Sequence, residues 1–487
     1  MKSLPALTRP VAFAIVLALW AAIYLPGLGA VEIKGEEIRR IMPGVNMLQT
    51  GKWIVPEFNG IPYLRKPPLV NWAIALSIKT LGVRNEFSAR LPSVLAILAM
   101  SLVILGVSIP WLGINTALAA VLIILTSAGI VEKGRLAEIE AIYLALSGMA
   151  IACWLAWTAT ARSPWMTWPL TGLILGLGLL AKGPAHLAFF YSIAGSIAFM
   201  SWRKRRPEPV IKTRLISRAH LAGLALMLAV FALWCVPYLR DTAKMGAAGI
   251  WARQLEQRMG GGDTGTIWVN FLRSLLNFLP WTLALPLFWR PATLSRLSEP
   301  DRLIIQAARW PIVACAFLLM FIPGMLPRYT LPLVIPYALL LALLLKAEFQ
   351  QNSLRWTLVA ASLTGVGMLL YGLLFAPRIA SRGPSRDFAS RINSVMPPGS
   401  PIYIFDPAVQ PEVFYIHGQL LFTDTVKNLP RDVPWLLAPD SALDVLRHRF
   451  RETSILAHAS EVSGKAFTFV SLRGNGQGIG ETRAKRQ

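Results

Sequence analysis

The stretch EEIRRIMPGVNMLQTGKWIVPEFNGIPYLRKPPL, residues 36–69, decides how this chain is read. It directly follows the first apolar run. It sets two carboxylates (Glu36, Glu37), an arginine pair (Arg39, Arg40) and the run RKPP at 65–68 beside long hydrophobic segments. Charge this dense is costly in hydrocarbon, so the stretch belongs at a membrane face. A site for chemistry on a lipid-borne substrate looks like this; by pattern alone, so does a long connecting loop.

The surrounding composition supports the membrane setting. Of 487 residues, 55% are hydrophobic and 15% charged, more apolar surface than a soluble protein of this size can hide. The net charge of +23 could suggest nucleic acid, but the basic residues cluster in short loops between apolar runs, as at 203–218. That is the pattern of positive-inside topology and affinity for anionic lipid heads, so no nucleic-acid partner is expected. Cys153, Cys235 and Cys315 each sit inside an apolar run and read as small core hydrophobes. The N-terminal run reads as an uncleaved first membrane helix, because no small-residue cleavage site follows a short core.

A helix needs about 20 apolar residues to cross a bilayer. Spans are expected at 10–30, 87–110, 113–132, 139–160, 165–182, 185–202, 219–238, 271–289, 303–323, 328–346 and 357–377, about eleven crossings. The run 70–82 is too short to span and suits an interfacial or re-entrant helix. With the N-terminus cytoplasmic, this count puts the basic loops 203–218, 290–302 and 346–355 inside. Regions 31–86, 132–140, 239–270 and everything after 378 then fall on the other face. Short β-type runs at 401–407, 419–424 and 434–439, with a helical pattern at 441–450, predict a small α/β domain over 378–475, following a membrane domain over 1–377. The tail 476–487 has no apolar periodicity and reads as disordered.

The candidate chemistry lies on that second face. Glu138 and Glu140 stand at the start of the fourth span, so two acidic clusters from separate loops share one side. One carboxylate can deprotonate a hydroxyl nucleophile while a second orients it. Lys182 ends the fifth span before Gly183 and Pro184, either as a snorkelling lysine or as an ammonium meeting a lipid phosphate. Arg253 and Arg258 lie in the 239–270 loop, and Arg328 with Tyr329 opens the tenth span. Singly, each reads as a solvated charge; together they are cations suited to a phosphate leaving group. The five histidines show no metal-ligand spacing, and neither HExxH nor CxxC occurs.

In order along the chain, GEEIRR and MLQTGKWIVPEFNGIPYLRKPPLVNW, EFSARLPS, RLAEIEA, LLAKGP, WARQLEQR, FLPW and PRYTLPLVIPYALLLA resemble the polyprenyl-phosphate-dependent glycosyltransferases of family 39. These belong to the glycosyltransferase C superfamily and include protein O-mannosyltransferases and the aminoarabinose transferase that modifies lipid A. The resemblance implies a polytopic helical fold of glycosyltransferase C type. It also implies inverting transfer of a sugar from undecaprenyl phosphate to a hydroxyl or phosphate-type acceptor, lipid or protein, on the periplasmic side of the bacterial inner membrane. It places the general base on Glu36 and the second acidic residue on Glu140. Lys66, Lys182, Arg258 and Arg328 become the basic positions, with Glu37 beside the base. From their place on the same face, Arg39, Tyr63, Glu138, Arg253 and Tyr329 are expected as further substrate contacts, as is Glu37. Both acidic positions carry Glu where the family usually has Asp; one methylene moves a carboxylate about 1.5 Å, a shift worth roughly 100-fold in rate unless the site compensates. Arg65 stands where relatives of the lipid A enzyme carry Glu, which weakens a metal site there. No cofactor or metal is assigned, a divalent ion staying open, and the chain is expected to act as a monomer among membrane lipids. A transporter or flippase for a lipid-linked sugar is the rival class; it would place ionisable residues at mid-bilayer and break its helices.

Overall fold

The computed structural model describes residues 7–203, 215–246, 249, 267–319, 326–381, 383–405, 411–423, 425, 428–430, 435–444, 446, 453–459 and 467–472. Among these, eight helices are long and apolar enough to cross a membrane, and up to ten if two bent pairs each count as one. The protein is therefore a multi-pass membrane protein. The expected first span is shorter than its apolar run: the helix Arg9–Tyr24 has 16 residues. It ends ahead of Pro26 and Gly27, whose φ of +66° continues no right-handed helix.

Two expected straight spans are bent. Ile114–Thr126 meets Ala128–Gly134 at 62°, and Trp268–Leu276 meets Trp281–Trp289 at 104°. Hydropathy could not show this, because composition is unchanged across the break. The two breaks seal one another: Ala128 N donates to Leu279 O (2.9 Å) and Gly129 N to Asn277 O (3.0 Å). Non-helical backbone at such depth is tolerated where protein satisfies its polar groups.

The helices sort into inner and outer layers. The apolar windows of Ile139–Ala159 and Pro327–Phe349 are 89% buried, whereas those of Asn352–Ala380 and Arg218–Asp241 are 17% and 22% buried. The first pair is the core of the bundle and the second presents its apolar side outward. Pro164–Lys182 packs tightly on Arg218–Asp241 because both carry glycine at the crossing: a Cβ on Gly172 would sit 2.1 Å from Gly223 O, and one on Gly223 would sit 2.5 Å from Trp168 O. Small residues let membrane helices approach this closely. At one end of the bundle Thr293 Oγ1 donates to Glu348 Oε2 (2.7 Å) and Trp111 Nε1 to Asp301 Oδ1 (3.0 Å), so the basic segments around 290–302 and 346–355 gather together there.

The acidic stretch is a folded cap. The helix Ile38–Thr50 ends on Gly51 (φ +72°), the hairpin β1 (Glu57–Phe58) and β2 (Ile61–Pro62) turns on Asn59 and Gly60 with φ of +54° and +74°, and the helix Leu69–Leu81 closes the segment. Positive φ at both turn residues is what Asn-Gly supplies in a two-residue hairpin. The 13-residue helix at 69–81 is shorter than a span.

The C-terminal region pairs the helix Pro384–Val395 with a five-stranded sheet: β3 (Pro401–Phe405), β4 (Gln419–Thr423), β5 (Leu436–Pro439), β6 (Thr453–Ala459) and β7 (Phe467–Leu472), in spatial order β4-β3-β5-β7-β6. β3 runs parallel to β4 and β5, while β7 is antiparallel to β5 and β6. Strands β6 and β7 were not among the expected runs. The helical pattern expected at 441–450 opens with a 3-10 turn, Asp440–Ala442, and residues 443, 444 and 446 are helical, the remainder lying outside the described residues, as does the whole tail 476–487. One apolar cluster joins this region to the cap, with Phe388, Ile392, Ile402, Phe414 and Leu420 packed with Ile33, Ile38, Ile41 and Ile74.

Gly172→Val should destabilise the bundle by about 3 kcal/mol, at the upper end for overpacking, because the clash is with backbone rather than a movable side chain. A lowered thermal unfolding midpoint in detergent is the measurement; an unchanged midpoint would show that the helices are not in this contact.

Candidate active site

Three carboxylates and six cations face one cavity of about 1000 Å³. Glu36, Arg39 and Arg40 come from the start of the cap, Tyr63, Arg65 and Lys66 from the segment after the hairpin, Glu138 and Glu140 from the start of Ile139–Ala159, Lys182 from the end of Pro164–Lys182, and Arg328 and Tyr329 from the 3-10 turn Pro327–Leu333. Among the described residues, six cations against three carboxylates leave a formal excess of three positive charges. Such a cavity favours an anion where negative charge resides or develops.

Each carboxylate is held differently. Glu36 takes Arg39 Nη1 at 2.8 Å and Arg40 Nη2 at 3.4 Å, and its side chain keeps 32% exposure. Glu140 is 8% exposed and bridges Lys182 Nζ (3.1 Å) and Arg328 Nε (3.2 Å). Glu138, equally buried, lies 3.3 Å from Lys133 Nζ and 3.6 Å from Arg328 Nη1. Burial raises the Glu138 pKa above the usual carboxylate value; the Lys133 ammonium opposes the rise and the Glu140 charge adds to it. The exposures separate the roles these groups can play: Glu36 can meet an incoming molecule, whereas Glu138 and Glu140 are positioned to hold cations.

The cations are shaped by aromatic neighbours. Lys182 Nζ sits 5.0 Å from the Tyr143 ring centroid and 4.9 Å from that of Tyr329, cation–π distances that fix the ammonium in addition to its carboxylate. Arg40 donates to Tyr63 Oη at 2.9 Å, and its backbone carbonyl accepts from Asn71 Nδ2 at 2.7 Å, tying the cap to the helix Leu69–Leu81. His186 spans Gly183 O and Leu175 O, each at 3.0 Å, and so fixes the helix end that carries Lys182. Among the described residues no group of three or more His, Cys, Asp or Glu side chains gathers as a metal site would.

The cavity brings together nine residues singled out in the sequence: Glu36, Arg39, Tyr63, Lys66, Glu138, Glu140, Lys182, Arg328 and Tyr329. Glu37 is not among its lining residues. It is 1% exposed and turned into the protein, where Arg90 Nε and Nη2 meet its two oxygens at 2.7 and 2.8 Å and Ala137 N donates at 2.9 Å. Arg253 and Arg258 lie outside the described residues. Arg40 and Arg65 also line the cavity, although the sequence reading gave neither a substrate contact. Arg40 was legible as the residue one helical turn after Glu36, and Arg90 as a charge one turn inside an apolar span, which must find a partner.

The architecture is shared with solved proteins. ArnT from Cupriavidus metallidurans bound to undecaprenyl phosphate superposes with a TM-score of 0.72 at 15% identity over 95% of this chain and 97% of that one; its apo state gives 0.69. The fold is thus of the glycosyltransferase C type. Residues 65–236 match the family model described as dolichyl-phosphate-mannose-protein mannosyltransferase. Curated relatives include the undecaprenyl phosphate-alpha-4-amino-4-deoxy-L-arabinose arabinosyl transferases of Pseudomonas aeruginosa (strain LESB58), 28% identical over 69% of this chain, and of Pseudomonas savastanoi pv. phaseolicola, 27% identical over 73%. The match spans 59% of the length of the first and 66% of the second.

Arg90→Met alone should cost about 3–5 kcal/mol, because it strands the buried Glu37 carboxylate, whereas Arg90→Met with Glu37→Gln should recover a large part of that loss. A double-mutant cycle on thermal stability reads the coupling; additive losses would mean the pair is not the joint seen here.

Proposed function

We propose that this chain is an inverting glycosyltransferase that moves a sugar from undecaprenyl phosphate to a periplasmic-side acceptor, lipid A or another envelope glycolipid. The observation that carries the reading is the single cavity in which an accessible carboxylate, Glu36, faces a cluster of fixed cations. The undecaprenyl phosphate in the names of the relatives supports the donor.

In this mechanism the donor phosphate rests among Lys66, Lys182 and Arg328, joined by Arg65, and its prenyl chain lies toward lipid; Arg258, expected in the same set, belongs to residues not described. Glu36 accepts the proton of the acceptor hydroxyl as its oxygen bonds to the anomeric carbon. The bond from that carbon to the phosphate oxygen breaks on the opposite face, inverting the configuration, and undecaprenyl phosphate leaves with the electron pair. Glu140, with Glu138, serves the reaction through the cations it holds: fixed positive charge at the leaving phosphate needs no reorganisation as negative charge develops there.

The gathering of the basic 290–302 and 346–355 segments at one end supports an orientation with these inside, the N-terminus cytoplasmic, and the cavity and C-terminal domain periplasmic, in the inner membrane of a bacterium, acting as a monomer. A protein acceptor is the second reading, favoured by the description of the matching family. The cationic excess of the cavity favours an anionic glycolipid over it. A carrier for lipid-linked sugar would share the broken helices, but here the breaks bond to one another instead of opening a path, and their residues, 127–128 and 277–280, carry no ionisable side chain.

Purified protein given labelled undecaprenyl-phosphate sugar and envelope lipid should release undecaprenyl phosphate. Glu36→Gln should cut transfer by about 100-fold or more, in the range of a lost general base, while eluting as a folded protein. Full activity of that variant would remove Glu36 from the role, and donor movement across vesicles without cleavage would replace transferase with carrier.

A further inference from the structure

The segment 28–32, which leads into Glu36, has no regular structure of its own, yet five consecutive backbone carbonyls are all taken by two guanidiniums. Arg90 donates to Leu28 O (2.9 Å), Val31 O (2.7 Å) and Glu32 O (3.0 Å) from the helix Glu86–Leu112. Arg386 donates to Gly29 O (3.2 Å) and Ala30 O (2.9 Å) from the helix Pro384–Val395 of the C-terminal domain. The same arginine meets Glu86 Oε1 through Nε at 2.7 Å, and its backbone N–H donates to Glu32 Oε1 at 2.7 Å. Tyr415, also of that domain, donates to Glu86 Oε1 (2.8 Å) and accepts from Ile33 N (2.8 Å). At the other edge of the cap, Gly60 lies against Phe422 of β4, so closely that an added Cβ would be 3.0 Å from the phenylalanine Cβ. Ile61, Pro62 and Tyr63, the next residues, line the cavity.

A small domain none of whose described residues lines the cavity thus grips both the strand of chain before the accessible carboxylate and the hairpin beside it. We infer that Arg386 is a positioning residue: through the 28–33 segment it sets the placement of Glu36, making the C-terminal domain a brace for the reaction centre rather than an appendage. This rests on the glycosyltransferase reading. A carboxylate displaced by about 1 Å costs on the order of 100-fold in rate, so a guanidinium fork on a loop four residues away has leverage out of proportion to its distance. Lysine in place of Arg386 supplies charge without the planar fork and should restore only part of the effect.

The test uses the full-length protein in detergent or nanodiscs, comparing wild type, Arg386→Gln, Arg386→Lys and Arg391→Gln, the last an exposed residue on the same helix. Arg386→Gln should raise amide hydrogen exchange at 29–37 by about tenfold, as local opening becomes easier. It should lower kcat by about 100-fold and leave undecaprenyl phosphate affinity and the donor KM within about threefold, a loss of transition-state placement without loss of binding. Arg386→Lys should fall between, and Arg391→Gln should match wild type. Exchange at 29–37 unchanged in Arg386→Gln, beside an active wild type, overturns the brace. So does a rate loss matched by a smaller fraction of molecules able to bind undecaprenyl phosphate, which is what mere instability would give. Faster exchange beside a wild type that transfers no sugar overturns the glycosyltransferase reading itself.

Discussion

The ion pair between Arg90 and Glu37 is the joint on which the cap turns. Both side chains are nearly sealed from solvent, at 4% and 2% exposure. Neither could remain charged there without the other, because burying an isolated ion costs several kcal/mol even after relaxation. Between them they use every polar atom they have nearby: the guanidinium takes the carboxylate and three backbone carbonyls, and the carboxylate also accepts from Ala137 N, one residue before Glu138. A single buried pair therefore ties the first loop, the first long span and the acidic turn before the core helix into one body. Glu36 and Glu138 flank the two ends of that tie, which is how carboxylates a hundred residues apart come to share a cavity.

Adjacent glutamates show what sequence could and could not reveal. Glu36 and Glu37 are equivalent to any reading of composition, and both looked suited to substrate. In the fold one faces the cavity and the other faces Arg90, a difference of side-chain direction that depends on partners far along the chain. The membrane spans were legible because twenty apolar residues mean much the same thing wherever they occur. The basic residues at helix ends were legible for a similar reason: Lys182 before Gly-Pro and Arg328 after Pro327 had few places to go but the mouth of the bundle. The two bends were not, since the bonds that permit them, from Ala128 and Gly129 to the 277–279 backbone, link segments some 150 residues apart. Strands β6 and β7 were missed although turn residues bracket them, Ser463-Gly464 between the two and Gly474-Asn475-Gly476 after the second. Arg386 carried no local mark at all, being one arginine among many in a polar stretch.

The cavity balances charge against reach. Its deepest carboxylates are spent on lysine and arginine, and its most accessible one stands at the rim on the cap. This division follows from where each residue enters. Glu138 and Glu140 begin a helix that is almost wholly buried, where a charge must be paired at once. Glu36 stands just before a short helix in a wet cap, where arginines one turn later pair with its two oxygens and still leave its side chain about a third exposed. Glutamate in place of the shorter aspartate adds reach on a scaffold that is itself clamped.

The clamp also has a temporal side. Arg386 and its backbone contact Glu32 are separated by 354 residues of polypeptide. The ribosome finishes the opening loop early, yet the guanidinium that occupies its Gly29 and Ala30 carbonyls is made only after the last hydrophobic helix. Until then Glu86 and Glu32 wait without it at the water-exposed end of an otherwise inserted bundle. A nascent chain interrupted before residue 384 would hold every charged group of the pocket, and none of the late-arriving half of the scaffold that keeps the loop still.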